Sequence, residues 1–122
     1  MNIDDARRIA LRIARDAGDE GDEAFSVGAR KFAWPWLERV DPRKARVVNE
    51  SVLAVRTASE DEKLALVDLD STAFFTEPHY DGYAAVLVRL ASVDEAVLTD
   101  LLANARRLAA AKRRRTRTRR SA

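Results

Sequence analysis

The fold is decided by the sequence FFTEPHYDGYAAVLVRL, which occupies residues 74–90. Two phenylalanines stand before a polar loop, and a strongly apolar segment follows the loop. Aromatic and β-branched runs on either side of a loop that contains proline and glycine are typical of two strands and their connection. We therefore predict strands over residues 73–76 and 84–90, joined by a loop over residues 77–83.

Two further β-prone runs, residues 24–27 and 30–37, lie upstream of this stretch. A short connection that contains glycine separates them, and this arrangement favours a hairpin. Pro35 has no amide hydrogen to donate to a neighbouring strand. We therefore expect its strand to lie at a sheet edge or to be bulged there.

Turn-forming residues divide the next part of the chain. Residues 41–43 (Asp-Pro-Arg) and 49–51 (Asn-Glu-Ser) have the composition of turns. Between the second turn and the next polar segment, residues 52–57 are predicted to form a compact buried strand.

Two pairs of residues have the spacing of a capping box, in which a hydroxyl and a carboxylate satisfy backbone amides at the start of a helix. Ser59 and Glu62 predict a short helix that ends near Leu69. Ser92 and Glu95 predict the start of the final helix.

The first helix is predicted over residues 1–17, where apolar residues recur at three- and four-residue steps. Asn2 is its expected N-cap and Gly18 its expected stop. The same spacing marks one side of the final helix as inward-facing. The residues on that side are Val97, Leu98, Leu101, Leu102, Ala105 and Leu108. The order of elements predicts an α+β class, with an antiparallel sheet packed against the terminal helices.

The bulk composition limits the classes of function. A length of 122 residues suits one domain, and the absence of cysteine excludes disulfides, thiolate zinc sites and cysteine nucleophiles. No segment has the apolar length of a signal peptide or a membrane span, so we expect a cytoplasmic protein. With four glycines there is no phosphate-binding loop, and no serine has the setting of a hydrolase nucleophile. We expect no enzymatic activity, no metal and no cofactor.

The stretches described above closely resemble the MmcQ/YjbR family. The likeness is strongest in residues 74–90, whereas residues 24–34, 52–56 and 60–66 resemble that family's first hairpin, central strand and helix. It covers nearly the whole chain to about Lys112. The resemblance implies a single-domain, CyaY-like, double-wing α+β fold and a DNA-binding function, for a family without an established activity.

The chain departs from this family at its C-terminus, where arginines replace the usual proline-ended sequence. Fifteen of the 22 basic residues and all 20 acidic residues precede residue 112, so residues 1–111 have a formal charge of −5. The remaining seven basic residues form the tail. They are Lys112, Arg113, Arg114, Arg115, Arg117, Arg119 and Arg120. We predict a folded domain over residues 1–111 and a disordered basic tail over residues 112–122.

Guanidinium groups pair with phosphates and release condensed counterions, so the tail has the composition of a phosphate-binding arm. Such contacts do not read base sequence. The alternative is a solvated terminus that keeps the protein soluble or folds back on the acidic domain. Arg30, Lys31 and Arg56 are secondary candidates for contacts with nucleic acid.

Alternation predicts that Phe32, Trp34 and Trp36 share one face of their strand. This aromatic row is either core, covered by the terminal helices, or a platform on which exposed bases stack.

His79 is the only histidine, and Asp81 lies two residues further on. An acid–base site on these two residues is one hypothesis. Packing within the tight loop between Pro78 and Gly82 is the alternative that we prefer.

The leading hypothesis is therefore a non-catalytic DNA-binding protein, with an adaptor for another protein as the alternative. An adaptor would use the acidic domain or the aromatic row. The sequence leaves open the choice between DNA and RNA and the oligomeric state.

Overall fold

The elements of the chain are given by a computed structural model, which describes residues 1–18 and 23–121, with side chains as far as residue 111. The helices are α1 (Ile3–Asp16), α2 (Glu60–Leu69) and α3 (Glu95–Ser121), with a short 3₁₀ helix at Pro78–Tyr80. The strands are β1 (Ser26–Val27), β2 (Arg30–Lys31), β3 (Ala33–Glu38), β4 (Val47–Arg56), β5 (Phe74–Phe75) and β6 (Ala85–Arg89). The predicted α+β class is confirmed.

The strands form two antiparallel sheets. β1 and β2 pair with each other around a turn in which Gly28 has a φ of 58°. The predicted hairpin is therefore confirmed for residues 26–31. The larger sheet has the order β3-β4-β6-β5. β3 therefore lies at an edge, as the proline in its sequence predicted.

The pairing of β3 with β4 is irregular at Pro35. Pro35 pairs with Leu53 whereas Trp36 pairs with Asn49, so residues 50–52 of β4 bulge opposite a single step of β3. The amide of Ser51 donates to the Asn49 side chain (2.9 Å) inside this bulge. The prediction of a turn over residues 49–51 was therefore wrong. The hydrogen bond between the Asn49 side chain and the Ser51 amide distorts β4 without ending it.

Side chains cap α1 and α2 at the predicted residues. The amide of Asp5 donates to the Asn2 side chain (3.0 Å), and the amide of Asn2 donates to the Asp5 carboxylate (2.9 Å). The amide of Glu62 donates to the Ser59 hydroxyl (3.1 Å), as expected. The Glu62 carboxylate accepts from the amide of Ala58 (3.2 Å) and not from the amide of Ser59.

The start of α3 differs from the prediction. The residue that precedes the helix is Asp94, whose carboxylate accepts from the amide of Ala96 (3.2 Å) and whose carbonyl accepts from the amide of Leu98 (2.9 Å). Ser92 lies in the preceding turn, where its amide donates to the carbonyl of Arg89 (3.0 Å). The carboxylate closer to the helix therefore caps it in place of the Ser92 hydroxyl.

The main core lies between one face of the larger sheet and the helices. Its largest fully buried members from the strands are Phe74, Leu53, Val55, Val86 and Val88. The predicted inward residues of α3 that are buried there are Leu98, Leu101, Leu102 and Ala105. Val97, by contrast, is 39% exposed, and Leu108 is only half-buried. Ala109, which follows Leu108 on α3, is buried in the main core.

Phe32, Trp34 and Trp36, which the sequence predicted on one face of their strand, do not share a face. Phe32 is buried in the main core, whereas Trp34 and Trp36 pack against a second cluster on the opposite face of the sheet. The alternation fails because Phe32 lies in the break between β2 and β3, which belong to different sheets.

The backbone of residues 112–121, where a disordered tail was expected, continues α3 as far as Ser121. The side chains of residues 112–122 lie outside the described residues. Across the part of the chain that the structure describes, no helix combines the length and the apolar character that a membrane span needs.

Candidate nucleic-acid interface

The face of the larger sheet that points away from the helices carries a row of side chains across all four strands. The strand register aligns Trp34 with Ala54, Ala54 with Leu87, and Leu87 with Phe75. Ala54 and Leu87 are fully buried beneath their neighbours, whereas Trp34 and Phe75 are half-buried. We call the rings that this side presents to solvent the aromatic face: Trp34, Trp36, Phe75 and Tyr83.

The rings of the aromatic face pack edge to face. Trp36 contacts Phe75 with ring centroids 5.5 Å apart, and Trp34 contacts Tyr83 at 6.4 Å. Tyr83 also contacts Tyr80 at 6.1 Å. These contacts hold the rings in defined orientations, which is the arrangement that aromatic pairs prefer.

An arginine lies on each side of the row. The guanidinium of Arg56 is 5.3 Å from the centroid of the Trp34 ring and 5.6 Å from that of Tyr83. The guanidinium of Arg89 is 4.1 Å from the centroid of Phe75. All three distances are in the range of cation–π contacts, so these two charges are held at the aromatic face.

The loop between β5 and β6 is fixed to the sheet and to α2 through Tyr80. The indole nitrogen of Trp34 donates to the Tyr80 hydroxyl (3.1 Å), and the ammonium group of Lys63 donates to the Tyr80 carbonyl (2.7 Å). Gly82 has a φ of 77°, in the left-handed region that favours glycine, so the loop turns there before Tyr83.

His79 is exposed at the rim of a shallow pocket of about 170 Å³ that Trp34, Tyr80 and Tyr83 also line. Its ring contacts Tyr80 at 6.1 Å. Asp81 is exposed as well. In residues 1–18 and 23–111, no cluster of three or more histidine, cysteine, aspartate or glutamate residues is placed to hold a metal ion.

The three secondary candidates of the sequence line one cleft. Arg30, Lys31 and Arg56 surround a cavity of about 570 Å³, which we call the basic cleft. Its other described lining residues are Ala29, Thr57, Ala58, Leu108 and Ala109, and none of those described is acidic. The guanidinium nitrogen Nε of Arg56 donates to the carbonyl of Lys31 (2.8 Å), which fixes Arg56 across β2.

The charges of Lys31, Arg56 and Arg89 are not neutralised by described carboxylates. Among the described side chains, the ion pairs join Arg7 to Asp4 and Arg8 to Asp5, both on α1. Arg56 therefore presents its charge both to the basic cleft and to the aromatic face. The seven basic residues of the tail, Lys112 to Arg120, lie outside the described side chains.

Sequence reasoning missed several members of this site. Tyr83, Phe75 and Arg89 were placed on the predicted strands and loop but were not assigned to one surface. Their signal is the alternation of β6, where Ala85, Leu87 and Arg89 take the face opposite to Val86 and Val88. Lys63 carried no local signal, because its partner Tyr80 lies 17 residues further along the chain.

The fold and this surface define a small α+β protein with a four-stranded antiparallel sheet that helices cover on one face. The chain is 34% identical over 108 residues to Uncharacterized protein Rv2570 of Mycobacterium tuberculosis and to Uncharacterized protein Mb2600 of Mycobacterium bovis. Each alignment covers 84% of this chain and 83% of the relative. The chain belongs to the family of these mycobacterial proteins. No protein-family model and no solved structure matches it.

Proposed function

We propose that this chain is a non-catalytic DNA-binding protein that holds the phosphate backbone with the basic cleft and the basic tail. The observation that carries the proposal is the meeting of Arg30, Lys31 and Arg56 around one cavity. These residues come from β2 and from the end of β4, and the fold brings them to one cleft.

The electrostatics of the basic cleft favour an anionic ligand. Like charges that converge on a concave surface raise the local potential and attract anions, and neither Lys31 nor Arg56 forms an ion pair with a described carboxylate. Lysine and arginine are also the residues that supply most contacts with phosphate oxygens. The cleft therefore suits a polyanion better than a neutral ligand.

The position of α3 supports a joint action of the cleft and the tail. Leu108 and Ala109 line the cleft, and residue 112 follows three residues later on the same helix, about 5 Å further along its axis. Both groups of cations are thus available to one nucleic-acid backbone. Their contacts would be independent of base sequence.

The resemblance to the MmcQ/YjbR family supports the same class of function. It also leads us to propose that the α+β fold of this chain is CyaY-like. The resemblance includes residues 24–34 and 52–56, which contain Arg30, Lys31 and Arg56. The basic cleft adds to it the placement of these three residues around one cavity.

The proposal is tested by a salt titration of binding to a fluorescent random-sequence duplex. The full chain is compared with a chain that ends at Ala111. For the full chain, with ten engaged cations, we expect the slope of log K against log salt to be no steeper than roughly −9. For the chain that ends at Ala111, which keeps only the three cations of the cleft, we expect a slope of roughly −3. Binding by neither chain at low salt would refute the proposal.

A second candidate function, a protein-interaction adaptor, is favoured by the hairpin of β3 and β4. Its outer part exposes Leu37, Val40, Val47 and Val48, and Val40 is 72% exposed. Clustered exposed apolar residues of this kind are typical of protein contact sites. An adaptor would lose its partner on substitution of Val40→Asp and keep it when residues 112–122 are removed, which is the reverse of the result expected for DNA binding.

A further inference from the structure

We propose that the aromatic face binds single-stranded nucleic acid by stacking with its bases. This inference rests on the proposed function and deepens it, because it names the form of nucleic acid that the domain prefers. The juxtaposition that carries it is a cross-strand row of rings with an arginine at each side.

The size of the row suits more than one base. Trp34 and Phe75 lie on the two edge strands of the four-stranded sheet and are aligned through Ala54 and Leu87. Three strand spacings separate them by about 14 Å, several times the roughly 3.4 Å between stacked bases. A strand with unstacked bases therefore has room to lie across the row.

The rings are the part of this surface that a ligand meets. Ala54, Ala85 and Leu87 are fully buried beneath them, whereas Trp34, Trp36 and Phe75 keep part of their surface exposed. Tyr83 is 43% exposed. Every base has a π-face, so such rings accept bases without regard to sequence.

Charge complementarity selects nucleic acid over an apolar peptide as the occupant. The guanidinium groups of Arg56 and Arg89 lie over the rings at the two sides of the row. A peptide that covered them with apolar side chains would bury these charges at a cost. A phosphate backbone offers them partners while its bases occupy the rings.

Arg56 makes the aromatic face and the basic cleft one continuous path. It lines the cleft with Lys31 and contacts the Trp34 ring on the other side. A strand can thus place phosphates in the cleft and its next bases on the rings. In duplex DNA the bases stack on each other, so only the cleft and the tail would engage a duplex.

Intrinsic fluorescence reports on this surface, because Trp34 and Trp36 are the two tryptophans of the chain and both pack on the aromatic face. The full chain is titrated with oligo(dT) of 20 nucleotides, with oligo(U) of the same length, and with a random-sequence DNA duplex, each at the same salt concentration. We expect one or both single strands to quench the fluorescence and to bind at least tenfold more tightly than the duplex. The two single strands distinguish DNA from RNA.

Two substitutions test the stacking directly. Tyr83→Ala removes an exposed ring, and Phe75→Leu removes a ring while keeping an apolar side chain in its place. We expect each to weaken single-strand binding about tenfold, the effect of one lost stacking contact, and to leave duplex binding within twofold. Leu69→Ala, which removes an exposed apolar side chain of α2, is the matched control and should change neither affinity.

The outcomes separate this inference from the proposed function. Equal binding of single strand and duplex, with no effect of Tyr83→Ala or Phe75→Leu, overturns the stacking inference and leaves backbone binding standing. Loss of binding to both forms on these substitutions in a folded chain also overturns it. Absence of binding to all three probes overturns both, and points to a peptide as the occupant of the aromatic face.

Discussion

The ammonium group of Lys63 donates a hydrogen bond of 2.7 Å to the backbone carbonyl of Tyr80. Lys63 is only 1% exposed, which is rare for a lysine, and it lies on α2, whereas Tyr80 lies in the loop beside the aromatic face. The bond therefore ties the helical side of the sheet to the loop that carries the rings. A buried charged donor of this kind is costly unless it is paired, so the contact defines where the loop sits.

Replacement of Lys63 by alanine should destabilise the protein by about 3 kcal/mol, because it removes buried methylenes and the charged donor to the Tyr80 carbonyl, which keeps only the amide of Tyr83 (3.0 Å). Urea unfolding followed by tryptophan fluorescence measures the change in the free energy of unfolding. Lys44→Ala, at an exposed lysine in the loop between β3 and β4, should stay within about 0.5 kcal/mol. An unchanged urea midpoint for Lys63→Ala would show that the bond does not hold the loop.

Tyr80→Phe should cost about 1 kcal/mol, because the indole N–H of Trp34 loses the hydroxyl that accepts its hydrogen bond. The substitution should also shift the tryptophan emission spectrum. The control is Tyr83→Phe, since no described residue hydrogen-bonds to the Tyr83 hydroxyl. Equal effects of the two substitutions would contradict the role assigned to the bond between Trp34 and Tyr80.

Much of the fold follows from local signals, and these predictions were confirmed. The proline of β3 places that strand at an edge, because a missing amide hydrogen is least harmful there. Asn2 caps α1 because its side chain reaches an amide three residues away. Both features depend only on residues that are close together in the sequence.

The candidate site is harder to predict, because it depends on contacts between residues far apart in the chain. The face of Phe32 was predicted wrongly since alternation assumes one continuous strand, and the chain changes sheets at that residue. The contact of Arg89 with Phe75 requires the register of β5 against β6. The meeting of Arg56 with Lys31 spans 25 residues, and only their basic character could be read from the sequence.

The turn that leads into β5 predicts a local dependence on pH. Hydrogen bonds from the hydroxyl and the amide of Thr72 lower the pKa of Asp70 below its ordinary value of 3.8. The carboxylate form is therefore favoured in the folded protein. The stability that it contributes is present above the unfolded pKa and is lost as the pH falls through the folded pKa, which lies below 3.8.

Substitution of Thr72→Val should raise the pKa of Asp70 towards its ordinary value, because the hydroxyl donor is the largest cause of the shift. An NMR titration of the Asp70 carboxyl carbon measures it directly. Thr99→Val removes a hydroxyl that donates to the carbonyl of Glu95 (2.8 Å), and it should leave the Asp70 titration unchanged. An Asp70 pKa that does not move in Thr72→Val would refute the assignment.

The central claim is that the basic cleft binds the backbone of nucleic acid, and the most direct test is the salt dependence of duplex binding by the full chain with Lys31→Ala and Arg56→Gln combined. We predict a slope of log K against log salt that is shallower by about 2, as expected for two lost phosphate contacts. The charge-matched control, Arg43→Gln with Lys44→Ala in the loop between β3 and β4, should keep the original slope. Equal slopes for the cleft variant and the unsubstituted chain, with both folded, would contradict the account.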